Sequence, residues 1–187
     1  MQTKQIKELM VPIADYATID EDATMEEAMQ ALENEDKKFG DSPYRHQSLV
    51  VIDNNKHVVG RLSQVDMMRA LEPGYNMIGN QDRWMGRTVL SKKVLITLRE
   101  EFGLWEQPVE TMCKSIQNAI VKDHMQKPTE GELVYDTDTL NIAAHRIVMG
   151  HHHSLLVIRK DKVIVGILRS TDLFNAFYDM LDSCMHP

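Results

Sequence analysis

Residues 46–66 read HQSLVVIDNNKHVVGRLSQVD, and residues 152–172 read HHSLLVIRKDKVIVGILRSTD. Laid together without a gap, the two stretches are identical at about half of their positions. A repeat of this kind decides the architecture, because both copies specify the same local structure. The sequence therefore predicts two copies of one structural unit.

The repeat extends upstream of this stretch. IKELM at residues 6–10 matches VKDHM at residues 121–125, and TMEEA at residues 24–28 matches TLNIA at residues 139–143. The offset then shrinks before the main stretch, so the first copy carries an insertion. Residues 37–45, KKFGDSPYR, are polar and hold Gly and Pro, which predicts a loop there. We divide the chain into a repeat at 1–72, a bridge at 73–117 and a repeat at 118–187.

Each copy predicts the same order of elements. Thr24 and Glu27 have the spacing of a capping box, and a helical apolar face follows, formed by Met25, Ala28, Met29 and Leu32. Ser48–Ile52 and Ser154–Ile158 are β-branched apolar runs typical of buried strands, each followed by a polar turn and a return strand. This is an α+β unit of β-α-β-β-α order, too small to bury both faces alone, and we expect it to pack against its twin.

The bridge predicts two helices. Apolar residues from Leu90 to Phe102 have helical spacing and end at Gly103, while Pro108 stands where a second helix begins. The bridge also holds both tryptophans, Trp84 and Trp105. We expect it to belong to the compact body, with a partner surface as the alternative.

Composition limits the function classes. A formal net charge of −7 argues against nucleic acid or an anionic membrane as partner, because both require clustered Lys and Arg. The chain has no run of about 18 apolar residues, and its first residues lack the apolar core of a signal peptide. Cys113 and Cys184 are isolated, which favours a reduced, cytoplasmic protein.

Catalysis has little support in the sequence. No Ser-His-Asp or Cys-His grouping has a recognisable context, and there is no Walker-type or Rossmann glycine-rich loop. We therefore do not expect an enzyme.

The doubled unit resembles a known family. Its V-x-x-x-M opening, its apolar hairpin strand and an Asp six residues after a Gly, as in Gly60 and Asp66, resemble the tandem CBS-domain (cystathionine-β-synthase-type) module. The resemblance implies two units in pseudo-twofold contact through their sheets, with ligand clefts between them and association into a homodimer. It also implies an adenosine-containing ligand (AMP, ADP, ATP or S-adenosylmethionine) and, since no effector domain is attached, a separate effector protein.

The same resemblance implies site residues in the first copy. Ser63 and Asp66 match the positions that contact phosphate and ribose in the family. A carboxylate can accept hydrogen bonds from two ribose hydroxyls, and free N–H groups at a helix start suit a phosphate. The alternative is that Ser63 and Asp66 only form a capping box.

The second copy departs from this pattern. It keeps Asp172 but has Arg169 in the place of Ser63. Arg169 could bind a phosphate bidentately, or it could fill and block the cleft. Ser170 or Thr171 could supply the missing hydroxyl. We expect the first copy to hold the better-formed site.

The run His151, His152 and His153 is the other candidate site. If the run is extended, His151 and His153 share a face and could bind a transition metal. Alternatively the histidines line the ligand cleft, where His153 could contact a base, or they lie in a solvated loop. His152 has a counterpart in His46, which favours a role common to both copies.

Two functions of different class follow. The first is a regulatory sensor that binds an adenine nucleotide and signals to a partner. The second is a dimerisation or interaction scaffold whose clefts are filled by Arg169 and methionine side chains. Metal binding through His151 and His153 is a third alternative.

Overall fold

The computed structural model describes residues 4–39, 48–78 and 91–185. Its strands are β1 (Val11–Pro12), β2 (Thr18–Asp20), β3 (Ser48–Ile52), β4 (Val58–Ser63), β5 (Leu133–Tyr135), β6 (Ser154–Ile158) and β7 (Ile164–Arg169). Its α-helices are α1 (Met25–Phe39), α2 (Gln64–Leu71), α3 (Lys92–Phe102), α4 (Val109–Asn118), α5 (Val121–His124), α6 (Leu140–Gly150) and α7 (Ser170–Met185). Short 3-10 helices span Ile6–Glu8, Ile13–Asp15, Pro73–Ile78 and Glu130–Glu132.

The two repeats adopt the predicted α+β fold. Each supplies a β-α-β-β-α unit in which the first strand runs parallel to the second and the second is antiparallel to the third. The sheet orders are β2-β3-β4 and β1-β7-β6-β5. The hairpin turns are alike as well, because Lys56 and Lys162 both adopt a left-handed conformation, with φ of 63° and 64°.

The first long helix begins where the sequence predicts and ends later. The Thr24 N–H donates to Glu27 Oε2 over 2.8 Å, and the Glu27 N–H donates to Thr24 Oγ1 over 3.2 Å, so the capping box is confirmed. Helix α1 continues through Phe39, so the loop predicted to start at Lys37 is wrong at its first three residues. Good helix formers and a 2.8 Å ion pair between Lys37 and Glu33 favour the added turn. Residues 40–45 of the predicted loop lie outside the described ranges.

The repeats exchange their opening segments. Ile6 is fully buried in the core of the second repeat, and β1 pairs with β7 through Val11 and Ile167. Val121 is fully buried in the core of the first repeat, and Gln126 pairs with Arg61 of β4. The division at 1–72 and 118–187 thus follows the sequence repeat, while each compact half takes its opening segment from the other copy.

A glycine in each repeat makes room for this exchange. A Cβ added to Gly60 would lie 2.6 Å from Met125 Sδ, and one added to Gly166 would lie 2.6 Å from Met10 Sδ. Both methionines belong to the exchanged segments. The Gly of each repeat therefore contacts the Met of the opening segment that comes from the other copy.

The two sheets face each other across a small apolar layer. Val50 of β3 packs with Leu156 of β6 and Ile167 of β7, and Tyr16 closes the layer from the side. All four side chains are at most 8% exposed. The predicted packing of each unit against its twin is therefore observed.

The bridge contains both predicted helices. Helix α3 ends at Gly103, whose φ of 57° gives a left-handed C-cap, and α4 starts after Pro108. Ile116 of α4 is buried in the first core, whereas no residue of α3 is buried. Trp84 and Leu90 lie outside the described ranges.

A buried carboxylate ties the bridge to the first repeat. Glu72, at the end of α2, is 1% exposed. It accepts hydrogen bonds from the Gly74 N–H (3.0 Å), the Trp105 N–H (2.7 Å) and Gln107 Nε2 (2.9 Å). These contacts fix the start of the bridge against the turn that follows α3.

Within the described ranges, no helix has the length and apolar character needed to span a bilayer.

Candidate ligand clefts

The predicted site residues lie at two equivalent strand–helix junctions. Ser63 is the last residue of β4 and the N-cap of α2, and Arg169 ends β7 immediately before α7. Asp66 and Asp172 therefore both lie in the first helical turn, three residues after the strand end. The repeat thus places one carboxylate at the same point of each half.

In the first repeat, other groups of the protein already donate hydrogen bonds to the Asp66 carboxylate. Asp66 Oδ2 accepts hydrogen bonds from the Ser63 N–H (2.9 Å) and from Ser63 Oγ (2.5 Å). Asp66 Oδ1 accepts from Gln126 Nε2 (2.8 Å) and lies 3.4 Å from Arg69 Nη1. Asp66 is only 2% exposed. The capping box that we considered as an alternative is therefore present, and the second oxygen is covered too.

Arg61, on the strand that leads to this junction, forms a polar brace with Ser154 and Glu132 of the second repeat. Arg61 Nη1 donates to Ser154 Oγ over 2.6 Å, and Arg61 Nη2 donates to Glu132 Oε1 over 3.2 Å. The Gln126 and Arg61 backbones exchange two hydrogen bonds of 2.8 and 2.9 Å. Hydrogen bonds to charged groups are among the stronger ones in proteins. The first junction is thus tied to the second half by the side-chain bonds of Arg61.

In the second repeat the carboxylate is held by a cation. Arg169 Nε donates to Asp172 Oδ2 and Arg169 Nη2 to Asp172 Oδ1, both over 2.7 Å. This is the bidentate geometry that gives Arg–carboxylate pairs their specificity. The two side chains are 18% and 13% exposed, so the pair is reachable from solvent.

A groove of about 340 Å³ lies beside this ion pair. It runs between the opening segment of the chain and helix α7, and its lining residues are Lys4, Leu9, Val11, Arg169, Asp172, Asn175, Ala176 and Asp179. Pockets that hold small ligands begin at about this size. The groove offers cations, carboxylates and an apolar wall, which suits a ligand with both apolar and charged parts.

The other predicted residues of the second copy lie around this junction. Ser170 and Thr171 are the first residues of α7, where Ser170 is partly buried and Thr171 is exposed. The Ser170 N–H donates to the His153 backbone carbonyl over 2.9 Å. His153 itself is exposed, and its backbone rather than its ring contacts the junction.

The histidine run is not extended. His151 ends α6 in a left-handed conformation with φ of 53°, and β6 begins only at Ser154. The alternation that would put His151 and His153 on one strand face is therefore not present. Across the described ranges, no group of three or more His, Cys, Asp or Glu side chains has the geometry for a metal ion.

His152 is the histidine that packs into the cleft. Its ring covers Gly150, since a Cβ there would lie 2.2 Å from His152 Nε2. Its Nδ1 lies 3.9 Å from Glu132 Oε1, next to the Arg61 brace. The counterpart His46 lies outside the described ranges.

Sequence reasoning missed Arg61, Gln126 and Glu132. A signal for two of them was present in the repeat itself. Gln126 matches Val11 and Arg61 matches Ile167, so at two paired positions one copy is polar where the other is apolar. Glu132 carries no such signal.

A comparison with protein-family models decides the family. The model described as CBS domain matches residues 6–73 and 121–179. The chain belongs to the CBS-domain family. It is a tandem CBS pair, as the resemblance in the sequence implied.

Solved CBS structures share the fold of this CBS pair. CBSX2 from Arabidopsis thaliana in complex with AMP is 18% identical with a TM-score of 0.57, and the match covers 94% of this chain and 97% of that one. A CBS-domain protein of unknown function from Bacillus anthracis is 13% identical with a TM-score of 0.64 and 95% coverage of both chains.

The CBS domain of a bacterial CNNM/CorC-family Mg²⁺ transporter in complex with ATP is 11% identical with a TM-score of 0.59, covering 93% of this chain and 87% of that one. At these identities the likeness concerns the fold. No curated protein sequence matches the chain.

Proposed function

We propose that this CBS pair is a regulatory module that binds an adenine nucleotide in the groove beside Asp172 and signals its occupancy to a separate effector protein. The observation that carries the proposal is the groove of about 340 Å³ in which Lys4 and Arg169 supply positive charge and Asp172 a carboxylate. Related CBS structures contain AMP or ATP, which supports this ligand class over others.

The second repeat is a better candidate than the first. A ligand at Asp66 has to displace Ser63 and Gln126 from a carboxylate that is 2% exposed. Breaking a buried polar network costs more than rearranging one at the surface. At Asp172 the holding group is a partly exposed Arg169, whose guanidinium also suits a phosphate.

The position of the groove favours a regulatory role. Leu9 and Val11 on one wall belong to the exchanged opening segment, and Asn175 and Ala176 on the other wall belong to α7. A ligand there contacts two parts of the chain that are far apart in sequence and are joined by the pairing of β1 with β7. It can shift the arrangement of these parts to the extent that it binds one arrangement more tightly than another.

We also propose that the pair forms a homodimer through the helical face of the second repeat. Phe174, Tyr178 and Leu181 on α7 are each more than half exposed, and their spacing puts them on one side of the helix. Exposed apolar patches of this kind mark interaction surfaces. Sedimentation analysis of Phe174→Glu/Leu181→Glu, expected to be monomeric, checks the dimer.

The test of nucleotide binding is a thermal melt of the purified chain with AMP, ADP, ATP, S-adenosylmethionine and Zn²⁺. A ligand that binds only the folded state adds about 2.7 kcal/mol at 100 times its dissociation constant. We expect a shift with at least one nucleotide, and we expect Asp172→Ala to remove it. Asp161→Ala, which removes an exposed carboxylate of the second hairpin turn, is the matched control.

One observation favours a ligand-free scaffold as the second candidate. Both junction carboxylates are engaged by the chain's own side chains, and Met10 and Met125 fill the space over the two repeat glycines. A melt that is flat for every nucleotide, with an intact dimer, would favour the scaffold and contradict the sensor.

A further inference from the structure

The two junction carboxylates differ in the residue that ends the preceding strand. Arg169 holds Asp172 bidentately, while its counterpart Ser63 makes a neutral hydroxyl contact to Asp66. The carboxylate of the second repeat is thus paired with a cation that a competing anion can also bind.

Resting on the proposed nucleotide site, we infer that the ion pair between Arg169 and Asp172 is a latch opened only by a phosphate-bearing ligand. The phosphate takes the place of the Asp172 carboxylate on the guanidinium. The released carboxylate then accepts hydrogen bonds from the hydroxyls of the ligand's sugar. One charge-assisted contact is exchanged for another, and no charge is left unpaired.

The surroundings of the pair fit this exchange. Val11 occupies the position that Gln126 holds in the first repeat, and its apolar side chain lines the groove without covering a carboxylate oxygen by a hydrogen bond. Lys4 brings a second positive charge to the same groove. A phosphate therefore enters beside two cations, with Asp179 as the second carboxylate of the groove. Asp66 instead accepts from an amide and a hydroxyl, and its nearest cation is Arg69 Nη1 at 3.4 Å.

The latch selects ligands by charge. Adenosine has the hydroxyls but no anion to replace the carboxylate on Arg169, so opening the pair would lose the bidentate contact and put no charge-assisted contact in its place. S-adenosylmethionine has one carboxylate that can meet Arg169, but its sulfonium and ammonium groups leave it with a net positive charge beside Lys4 and Arg169. We expect the groove to accept nucleoside phosphates and to reject both of these compounds.

The experiment is calorimetric titration of the full chain with AMP, adenosine and S-adenosylmethionine. For the wild-type chain we expect AMP to bind at least about tenfold more tightly than either other compound. The loss of one hydrogen bond to a charged group weakens binding by about that factor. An equal affinity for AMP and adenosine would overturn the latch while leaving a nucleoside site in place.

The decisive variant is Arg169→Ser, which installs the residue of the first repeat. Ser at this position can bond one oxygen of Asp172, and Val11 leaves the other oxygen for the ligand. We expect adenosine to bind more tightly than in the wild type and the AMP preference to fall to within about threefold, since an exposed Lys4 contributes little. An unchanged AMP preference would contradict the exchange.

A second variant keeps the test independent of folding. Arg169→Lys retains the charge but loses the bidentate geometry. We expect it to keep a preference for AMP with weaker binding, and circular dichroism to report an intact fold for both variants. If no compound binds the wild type or either variant, the proposed nucleotide site itself is overturned, and the latch with it.

Discussion

The two strand–helix junctions of this CBS pair each contain an aspartate at the equivalent position, but the two carboxylates have different hydrogen-bond partners. Asp66 is buried beneath Ser63 and Gln126, and Asp172 faces a groove with Arg169 as its partner. The backbone setting is the same in both, because each aspartate lies three residues beyond the end of a strand. The difference teaches that the repeat fixes where a carboxylate stands, while the residues around it decide whether it supports the fold or meets a ligand.

The differing neighbours come from paired positions. Near Asp66, Arg61 braces Ser154 and Glu132 while Gln126 bonds Asp66 itself. At the equivalent positions of the second repeat, Ile167 and Val11 form an apolar strand pair. One junction is thus tied to the other half by the side-chain bonds of Arg61, and the second junction is closed by side-chain packing and one ion pair. Four matched comparisons between the repeats test this contrast.

Removal of the junction carboxylate gives the largest expected difference. We expect Asp66→Ala to lower the free energy of unfolding by about 3 kcal/mol, because it removes a carboxylate that is 2% exposed and accepts hydrogen bonds from both Ser63 and Gln126. Asp172→Ala leaves only the partly exposed Arg169 without its carboxylate and should cost about 1 kcal/mol. Urea denaturation of both variants measures the difference, and equal losses would contradict a structural role special to Asp66.

A methyl group at Gly60 or Gly166 tests the close approach of the exchanged segment that both repeats have in common. The added Cβ of Gly60→Ala would lie 3.0 Å from the Gln126 carbonyl, and that of Gly166→Ala 2.9 Å from the Val11 carbonyl. We expect each to cost about 2 kcal/mol, as overpacking typically does. Denaturant unfolding should give similar losses in both repeats. A loss confined to one repeat would show that the exchanged segments pack with unequal rigidity.

The polar brace is expected to contribute less. In a double-mutant cycle of Arg61→Ala and Glu132→Ala, we expect a coupling energy of about 1 kcal/mol across the two halves. The matched control is the cycle of Ile167→Ala and Glu132→Ala, which should show no coupling beyond error. A coupling energy of zero between Arg61 and Glu132 would show that their contact does not stabilise the fold.

The helix caps give the smallest contrast. The Thr24 N–H holds the pKa of Glu27 below its ordinary value of 4.5. The counterpart Thr139 makes no capping hydrogen bond with its side chain, and Ile142 stands where Glu27 does. We expect Thr24→Ala to cost about 1 kcal/mol at neutral pH and Thr139→Ala less.

The pH dependence of that cost follows from the sign of the shift. A carboxyl with a lowered pKa in the folded state stabilises the fold above its unfolded pKa and loses this contribution as the pH falls through the folded value. Thr24→Ala keeps the backbone N–H but removes the hydroxyl, which donates to Glu27 Oε2 over 3.0 Å and also lowers the pKa of Glu27. The part of the penalty due to this hydroxyl should therefore shrink below pH 4.5. Thermal melts at pH 7 and pH 3.5 check this, with Thr139→Ala as the pH-independent control.

Much of the fold could be predicted from the sequence, because the repeat presents each pattern twice. The strands Ser48–Ile52 and Ser154–Ile158 are observed at their predicted bounds. The exchange of opening segments was not predicted, since short motifs do not specify which half they pack against. Tertiary packing decides this, because Ile6 and Val121 are buried in the cores of the opposite repeats.

The candidate sites were harder to rank from sequence. The match of Ser63 and Asp66 to the family pattern made the first junction look open, and only the three-dimensional position of Gln126 covers its second oxygen. Likewise, the histidine run reads as extended until the left-handed turn at His151 is known. Patterns in sequence identify which groups are present, but burial and partners depend on distant residues.

The exchanged opening segments also govern the order in which the chain acquires structure. Ile6 leaves the ribosome early, yet its place in a core is made by Val134 and Leu155, which follow far later. The first repeat in turn waits for Val121 before its own core is closed. Contacts such as that of Arg61 with Ser154 join residues 93 positions apart, and closing such long loops slows folding. Neither half can therefore complete its core from its own copy alone, and loss of residues 6–12 would damage the half whose core contains Ile6.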